Sequence, residues 1–216
     1  MECFAFDWIV VFKDYETKRF TVIHNDNQAL RACIDDDSIY CGCNSKGYDQ
    51  YIIKAICAGF SPEEVKQVND WIIADNQGWE CPLLSGVRFW FNNIDIKDDV
   101  YKGHSLKDIE GHLGMNILES DVDFNLDRPL TLEELESTIF YCKHDVDATE
   151  KLMEIRKDYL KTKINLGKRA GIPEAKALRM TNAKLTAMML GAVRKEWTDG
   201  REYVYPPNLD LSLIPP

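Results

Sequence analysis

Tyr141 and Asp145, in the stretch YCKHD, stand four residues apart. On a helix that spacing stacks one side chain above the other, so a phenol and a carboxylate can converge on one small object. An amphipathic helix with a half-buried Tyr and a solvated Asp would carry the same letters. A second candidate acid, Asp49, follows Asn44 and Tyr48 where a strand-like run gives way to a helical one. Its carboxylate is expected at the carboxyl edge of a sheet, where ligands of α/β sheets gather. A helix N-terminus also favours an acid for its dipole alone, by about 0.3–1 kcal/mol.

The elements that must position these residues can be read in order. WIVVFKD and RFTVIHN flank the polar YETK and read as a hairpin. Asn25 to Gln28 offers a capping pattern for a short helix, SIYCGCN reads as a buried strand ending at Asn44, and YDQYIIKAICAG as a helix closed by Gly59. Ser61-Pro62-Glu63-Glu64 combines a capping box with proline at the first helical position, opening a helix to about Asp75. VRFWFNNIDI reads as a strand, followed by an acidic loop around Asp98 and Asp99; with Asp95 these form an acidic cluster that could touch a metal or be only a loop charge run. Leu106, Ile109 and Leu113 recur at helical spacing up to Gly114, and SDVDFNLDRPL reads as a loop. Thr131 and Glu134 form another capping box, opening the helix of Tyr141 and Asp145, with Leu135, Phe140, Leu152 and Ile155 as its apolar positions. EAKALRMTNAKLTAMMLGAV is expected to be helical, and YVYPPNLDLSLIPP an extended Pro-rich tail. This order predicts an α/β layer with a mixed central sheet and flanking helices.

With 216 residues and 45% apolar content, the chain can bury a real core. It has no run of about 18 apolar residues and no basic-then-apolar leader, so a soluble intracellular protein is expected, with no membrane partner. Seven cysteines form no C-x-x-C pair, and reduced, mostly buried thiols are expected. The net charge of −10 argues against phosphate binding, but it hides an asymmetry. Between Lys151 and Lys195, twelve Lys or Arg face three acids (Glu154, Asp158 and Glu174), a local charge of +9. Solvated helix faces would explain this; so would a basic track, including Lys168, Arg169 and Lys184, beside an acidic pocket that tolerates phosphate only with metal ions. Asp147 is expected on a solvated face, Asp7 in a turn, and Trp71, Trp79 and Trp90 in the core.

Together, Asn-x-x-x-Tyr-Asp after a strand and Tyr-x-x-x-Asp on a helix about ninety residues later resemble the second and third motifs of proofreading 3′-5′ exonucleases with an RNase H-like fold, the branch with Tyr in its last motif. GCNSKGYDQYIIKAICAGF, SLKDIEGHLGMNI, YCKHDVDATEKL and MTNAKLT are similar to the exonuclease part of phage-type DNA polymerases. The resemblance spans nearly the whole chain. It implies an exonuclease domain over residues 1–165, then a helical extension and tail over 166–216 leading toward a polymerase region, in the cytoplasm of a phage-infected or lysogenic bacterial cell.

The resemblance also implies roles. Two divalent cations, Mg²⁺ or Mn²⁺, are expected, held by Glu2, Asp49 and Asp145, with Tyr141 orienting the attacking water and Glu2 and Asp145 beside it in the catalytic set. Asn44, Tyr48, Lys168, Arg169 and Lys184 are expected to face the 3′ end of single-stranded DNA. Such chemistry suits hard oxygen ligands, because Mg²⁺ prefers carboxylate and phosphate oxygens. The family's first motif is Asp-x-Glu; in MECFAFDWIVVF, Glu2 matches its Glu, which puts the Asp one position ahead of Met1. An exonuclease lacking that ligand is expected to be crippled by about 10³-fold or more. A non-cutting module that binds DNA or a replication partner is the competing expectation, and an RNA-directed nuclease of the same fold a third. His144 neighbours Asp145 but does not stand at the Tyr141 position.

Overall fold

The computed structural model describes residues 1–35, 37–98 and 104–193. Three antiparallel strands open the chain: β1 (Glu2–Cys3), β2 (Trp8–Lys13) and β3 (Phe20–His24), in the order β1-β2-β3. The expected hairpin is β2–β3, with Val10 opposite Ile23 and Lys13 opposite Phe20. Strand β2 is buried on both faces, and its period of two divides the core. Trp8 and Val10 join Ile52, Ile56, Val65 and Val68 from two helices, α2 (Asp49–Cys57) and α3 (Pro62–Ile73). Ile9 and Val11 join Phe4, Val122 and Cys142 on the other side, beneath the long helix α5 (Leu132–Ile155).

A second, parallel pair consists of β4 (Tyr40–Gly42) and β5 (Asn93–Asp95). Both kinds of pairing expected of a mixed layer are therefore present, but the described residues form two sheets and not one. The strand expected over VRFWFNNIDI shrinks to three residues. Its partner ends at Gly42, where a Cβ would lie 2.6 Å from that of Ser45, so the chain turns there and offers no longer edge. Ahead of β5 the aromatic run alternates in and out: Phe91 is buried against Tyr40, while Trp90 is 62% exposed, with the Arg179 guanidinium 4.2 Å from its ring centre. Trp79 is 68% exposed, so of the three tryptophans expected in the core only Trp71 packs against it.

The local capping signals translate directly. Asp26 caps α1 (Asn27–Cys33), and Ser61 and Thr131 form the capping boxes of α3 and α5. A further box at Ser105 opens α4 (Leu106–His112). Helix α5 buries Cys142 and packs Leu135, Ile139 and Val146 against the sheet; Phe140 is 65% exposed and Ile155 is 53% exposed, so neither lies on the core face assigned to it. The phase is set by Ile139, one residue earlier and about 100° around the helix.

Arg156 separates α5 from α6 (Lys157–Arg169), and donates to the carbonyls of Ile96 and Asp98. The helix expected after Pro173 is two: α7 (Glu174–Arg179) and α8 (Asn182–Met189). Met180 is extended, and the Thr181 hydroxyl accepts from the Lys184 amide, starting a new helix where the old one stops. Helices α6, α7 and α8 enclose their own small core of Ile172, Ala177, Met180 and Leu185. Gly167 lets α6 approach α7, since a Cβ there would meet that of Ala177 at 2.4 Å. No helix of the described residues is long and apolar enough to cross a membrane. All seven cysteines are free, with Cys3, Cys81 and Cys142 fully buried. The Pro-rich tail lies outside the described residues, as do Lys195 and Asp99.

Candidate functional site

Cross-strand partners share one face of a sheet, and Glu2 stands opposite Ile9. Since Ile9 faces α5, so does Glu2, and α5 presents Tyr141 and Asp145 to it. Burial above all pushes the Glu2 carboxyl up to about 7, against the Met1 amino group; the charges of Asp145 and Asp49 push it further up, and Lys107 opposes them. The Tyr141 phenol is held well above its ordinary range by burial, by the Asp145 and Glu2 charges and by its hydrogen bond to Asp145. Asp49, the first residue of α2, is likewise raised by burial, with the Met1 amino group opposing. That amino group lies in the same space: burial works against its charge, yet Cys142, Glu2 and Asp49 bring it up to about 11.

The turn that delivers Asp49 is built by Asp95. Its Oδ1 accepts the Asn44 amide at 2.9 Å and its Oδ2 the Lys46 amide at 3.1 Å. Asn44 sits at φ 61°, a left-handed position that Asn tolerates, and its carbonyl accepts from Gly47 and Tyr48. The Tyr48 hydroxyl donates to Asn69 Oδ1 of α3 at 2.6 Å, tying the start of α2 to α3. Asp95 is thus a backbone organiser behind the site, and Asp98 pairs with Lys46.

One more element completes the pocket. Lys107 of α4 places its Nζ 2.5 Å from Asp145 Oδ1, 3.4 Å from Glu110 Oε2 and 5.0 Å from the Tyr141 ring centre. Glu110 is 1% exposed, and neither of its oxygens accepts a hydrogen bond among the described residues. His144 Nδ1 lies 3.9 Å from both Glu110 Oε1 and Asp145 Oδ1. Glu110, His144 and Asp145 therefore form a group that could hold a metal ion, with ligand atoms all within 4.8 Å of one another.

No protein-family model matches this chain, and no curated protein or solved structure does either. The residues themselves must speak for the chemistry.

The acids assigned from the sequence do come together. Glu2, Asp49, Asp145 and Tyr141 approach one another from β1, α2 and α5, near enough for Asp49 and Asp145 to act on Glu2 and for Asp145 and Glu2 to act on Tyr141, although among the described residues the ligand atoms that meet within 4.8 Å are those of Glu110, His144 and Asp145. Mutually repelling, largely buried carboxylates fit hard divalent cations, which supply the missing positive charge. Asp147 points elsewhere, 52% exposed and paired with Lys13 at 2.6 Å. Asp7 is in the turn before β2, but it is buried there: it pairs with His24 at 2.6 Å and accepts the Leu130 amide at 2.8 Å.

The DNA-facing set is dispersed. Lys168, Arg169 and Lys184 are exposed on α6 and α8. Lys163, in the same basic stretch, is buried and donates to the carbonyls of Leu178 and Met180 at 3.1 and 2.7 Å. The residues that sequence reasoning missed are Lys107 and Glu110. Their i,i+3 spacing was a legible signal that both share a face of α4, but nothing local shows that this face meets α5.

Proposed function

We propose that this chain is a metal-dependent 3′-5′ exonuclease module of RNase H-like type acting on single-stranded DNA. The single observation that carries the reading is the convergence of Glu2, Asp49, Asp145 and Tyr141 from three distant segments on one acidic space. In this reading Glu2, Asp49 and Asp145 hold divalent cations, Mg²⁺ or Mn²⁺. When bound, the ions relieve charge on the phosphate and on the leaving oxygen. The protein's own share is positional. Tyr141 stays protonated at any physiological pH, so its phenol can donate a hydrogen bond and orient a water beside Asp145. The wall formed by Phe4, Ile9 and Cys142 beneath α5 keeps the base of the site dry. Exposed Lys168, Arg169 and Lys184 supply phosphate contacts away from the reacting bond. By the sequence resemblance, the module works in the cytoplasm beside a replicative polymerase that removes its own errors through it.

The Lys107–Asp145 ion pair favours a second reading, a module that binds DNA without cutting, because a resident ammonium already neutralises the acid expected to hold a cation. Digestion of a 5′-labelled single strand in Mg²⁺ or Mn²⁺ decides between them. Stepwise shortening from the 3′ end, abolished by Asp145→Asn, supports the exonuclease. Retained binding with no shortening at either ion supports the non-cutting module.

A further inference from the structure

The pocket between α4 and α5 contains an arrangement that the exonuclease reading does not use. Glu110 is as buried as the aliphatic core, yet its two oxygens accept no hydrogen bond among the described residues. A buried carboxylate in that state carries a heavy desolvation cost. Lys107 offsets its charge from 3.4 Å, but its hydrogen bond goes to Asp145. His144 Nδ1 is also buried and without a hydrogen-bond partner among the described residues, and it faces Glu110 Oε1. One imidazole and two carboxylates thus surround a point that the Lys107 ammonium approaches from the side.

We propose that Glu110, His144 and Asp145 form a binding site for one borderline divalent cation of the Mn²⁺ or Zn²⁺ type, and that Lys107 is its internal stand-in. Imidazole nitrogen suits Zn²⁺ and other transition ions, whereas Mg²⁺ selects all-oxygen sets. Two ligands of one such ion lie at most about 4.2 Å apart, given metal–ligand bonds of about 2.1 Å. The present spread of up to 4.8 Å closes with small side-chain rotations. An entering ion brings two positive charges for the two carboxylates, and Lys107, with a quarter of its side chain exposed, swings toward solvent. The site shares Asp145 with the proposed exonuclease centre but stands on Glu110 and His144, and it requires no phosphodiester cleavage.

The test is calorimetric titration of the full chain with Mn²⁺ and with Zn²⁺, in the absence of DNA. One ion whose affinity drops about tenfold or more in His144→Asn and in Glu110→Gln is expected, on the scale of losses seen when a metal site's support is removed. Asp49→Asn is expected to leave that ion in place, and Lys107→Met to tighten it. Should Glu110→Gln fail to fold by circular dichroism, His144→Asn, at a partly exposed position, decides alone. Wild-type affinity in His144→Asn would overturn the proposal. A chain that binds Mn²⁺ through His144 and cuts no DNA upholds this site and removes the exonuclease reading; one that cuts in Mg²⁺ without any His144-dependent ion does the reverse.

Discussion

The Lys107 ammonium lies 2.5 Å from Asp145 Oδ1, joining α4 to α5 at the centre of the acidic pocket. Each of the two side chains is about one quarter exposed, so the pair is neither a free surface contact nor a fully buried one. In Lys107→Met the ion-free protein loses its cation and leaves Glu110 and Asp145 facing each other. A loss of about 1–3 kcal/mol is expected, between the values for exposed and buried pairs. Urea unfolding in chelator measures it, and added Mn²⁺ should restore most of the loss.

Asp145→Asn and Tyr141→Phe separate ligand from positioning group. The first should remove cleavage of a labelled single strand and leave DNA affinity within about threefold. The second keeps the ring and loses only the hydroxyl, so a fall in kcat of about 10²-fold at near-constant KM is expected, the lower range for such proton-handling groups. Single-turnover rates read both. Parallel loss of binding and cleavage would count against the assignment.

Glu2 links the pocket to pH. Its carboxyl is raised from 4.5 to about 7 in the fold, so the folded state holds the proton more tightly than the unfolded chain. The stability this contributes is fully present below pH 4.5 and is lost as pH rises through 7. The span is on the order of 3 kcal/mol at most. Denaturation in chelator at pH 5 and pH 8 should show the decline, and Glu2→Gln should flatten it. Saturating divalent cation should flatten it too, because a bound cation favours the ionised carboxylate.

Within the basic stretch, exposed and buried lysines should behave oppositely. Replacing Lys168, Arg169 or Lys184 by Gln is expected to weaken single-strand binding and to lower its salt slope by about one for each phosphate left without its cation, without altering stability. Lys163→Met strips two carbonyls of their donor inside the α6–α8 cluster and should destabilise by about 1–3 kcal/mol. Filter binding at several salt concentrations, beside thermal melts, resolves the two classes.

Much of this was legible in the sequence wherever the determinant is local. Ser61, Thr131 and Gly59 announce helix ends through their own side chains or backbone freedom, and those ends are where the helices begin and stop. The hairpin follows from alternation alone. Helix phase was harder: Phe140 is the larger apolar residue, but Ile139 faces the sheet, and only the packing partner decides between neighbours. VRFWFNNIDI has strand composition, yet a strand needs an edge to pair with, and β4 offers three residues. For the site, motif spacing singled out Glu2, Asp49, Tyr141 and Asp145, and the fold brings them to one space. Lys107 and Glu110 escaped because a buried, unpartnered carboxylate and the ammonium beside it are tertiary properties. Nothing in SLKDIEGHL shows that α4 will lie against α5.

Helix α5 is anchored near both of its ends. Just ahead of its start, the Leu130 amide is fixed to Asp7 and Arg128 is paired with Glu134; just past its end, Arg156 grips the carbonyls of Ile96 and Asp98. Tyr141 and Asp145 lie mid-span, on a beam held against rotation about its own axis. A single residue inserted between Glu134 and Tyr141 would turn everything beyond it by about 100°, unless one anchor gave way. Registration in this pocket is therefore a torsional property of the whole helix, guarded by residues that never approach the acids themselves.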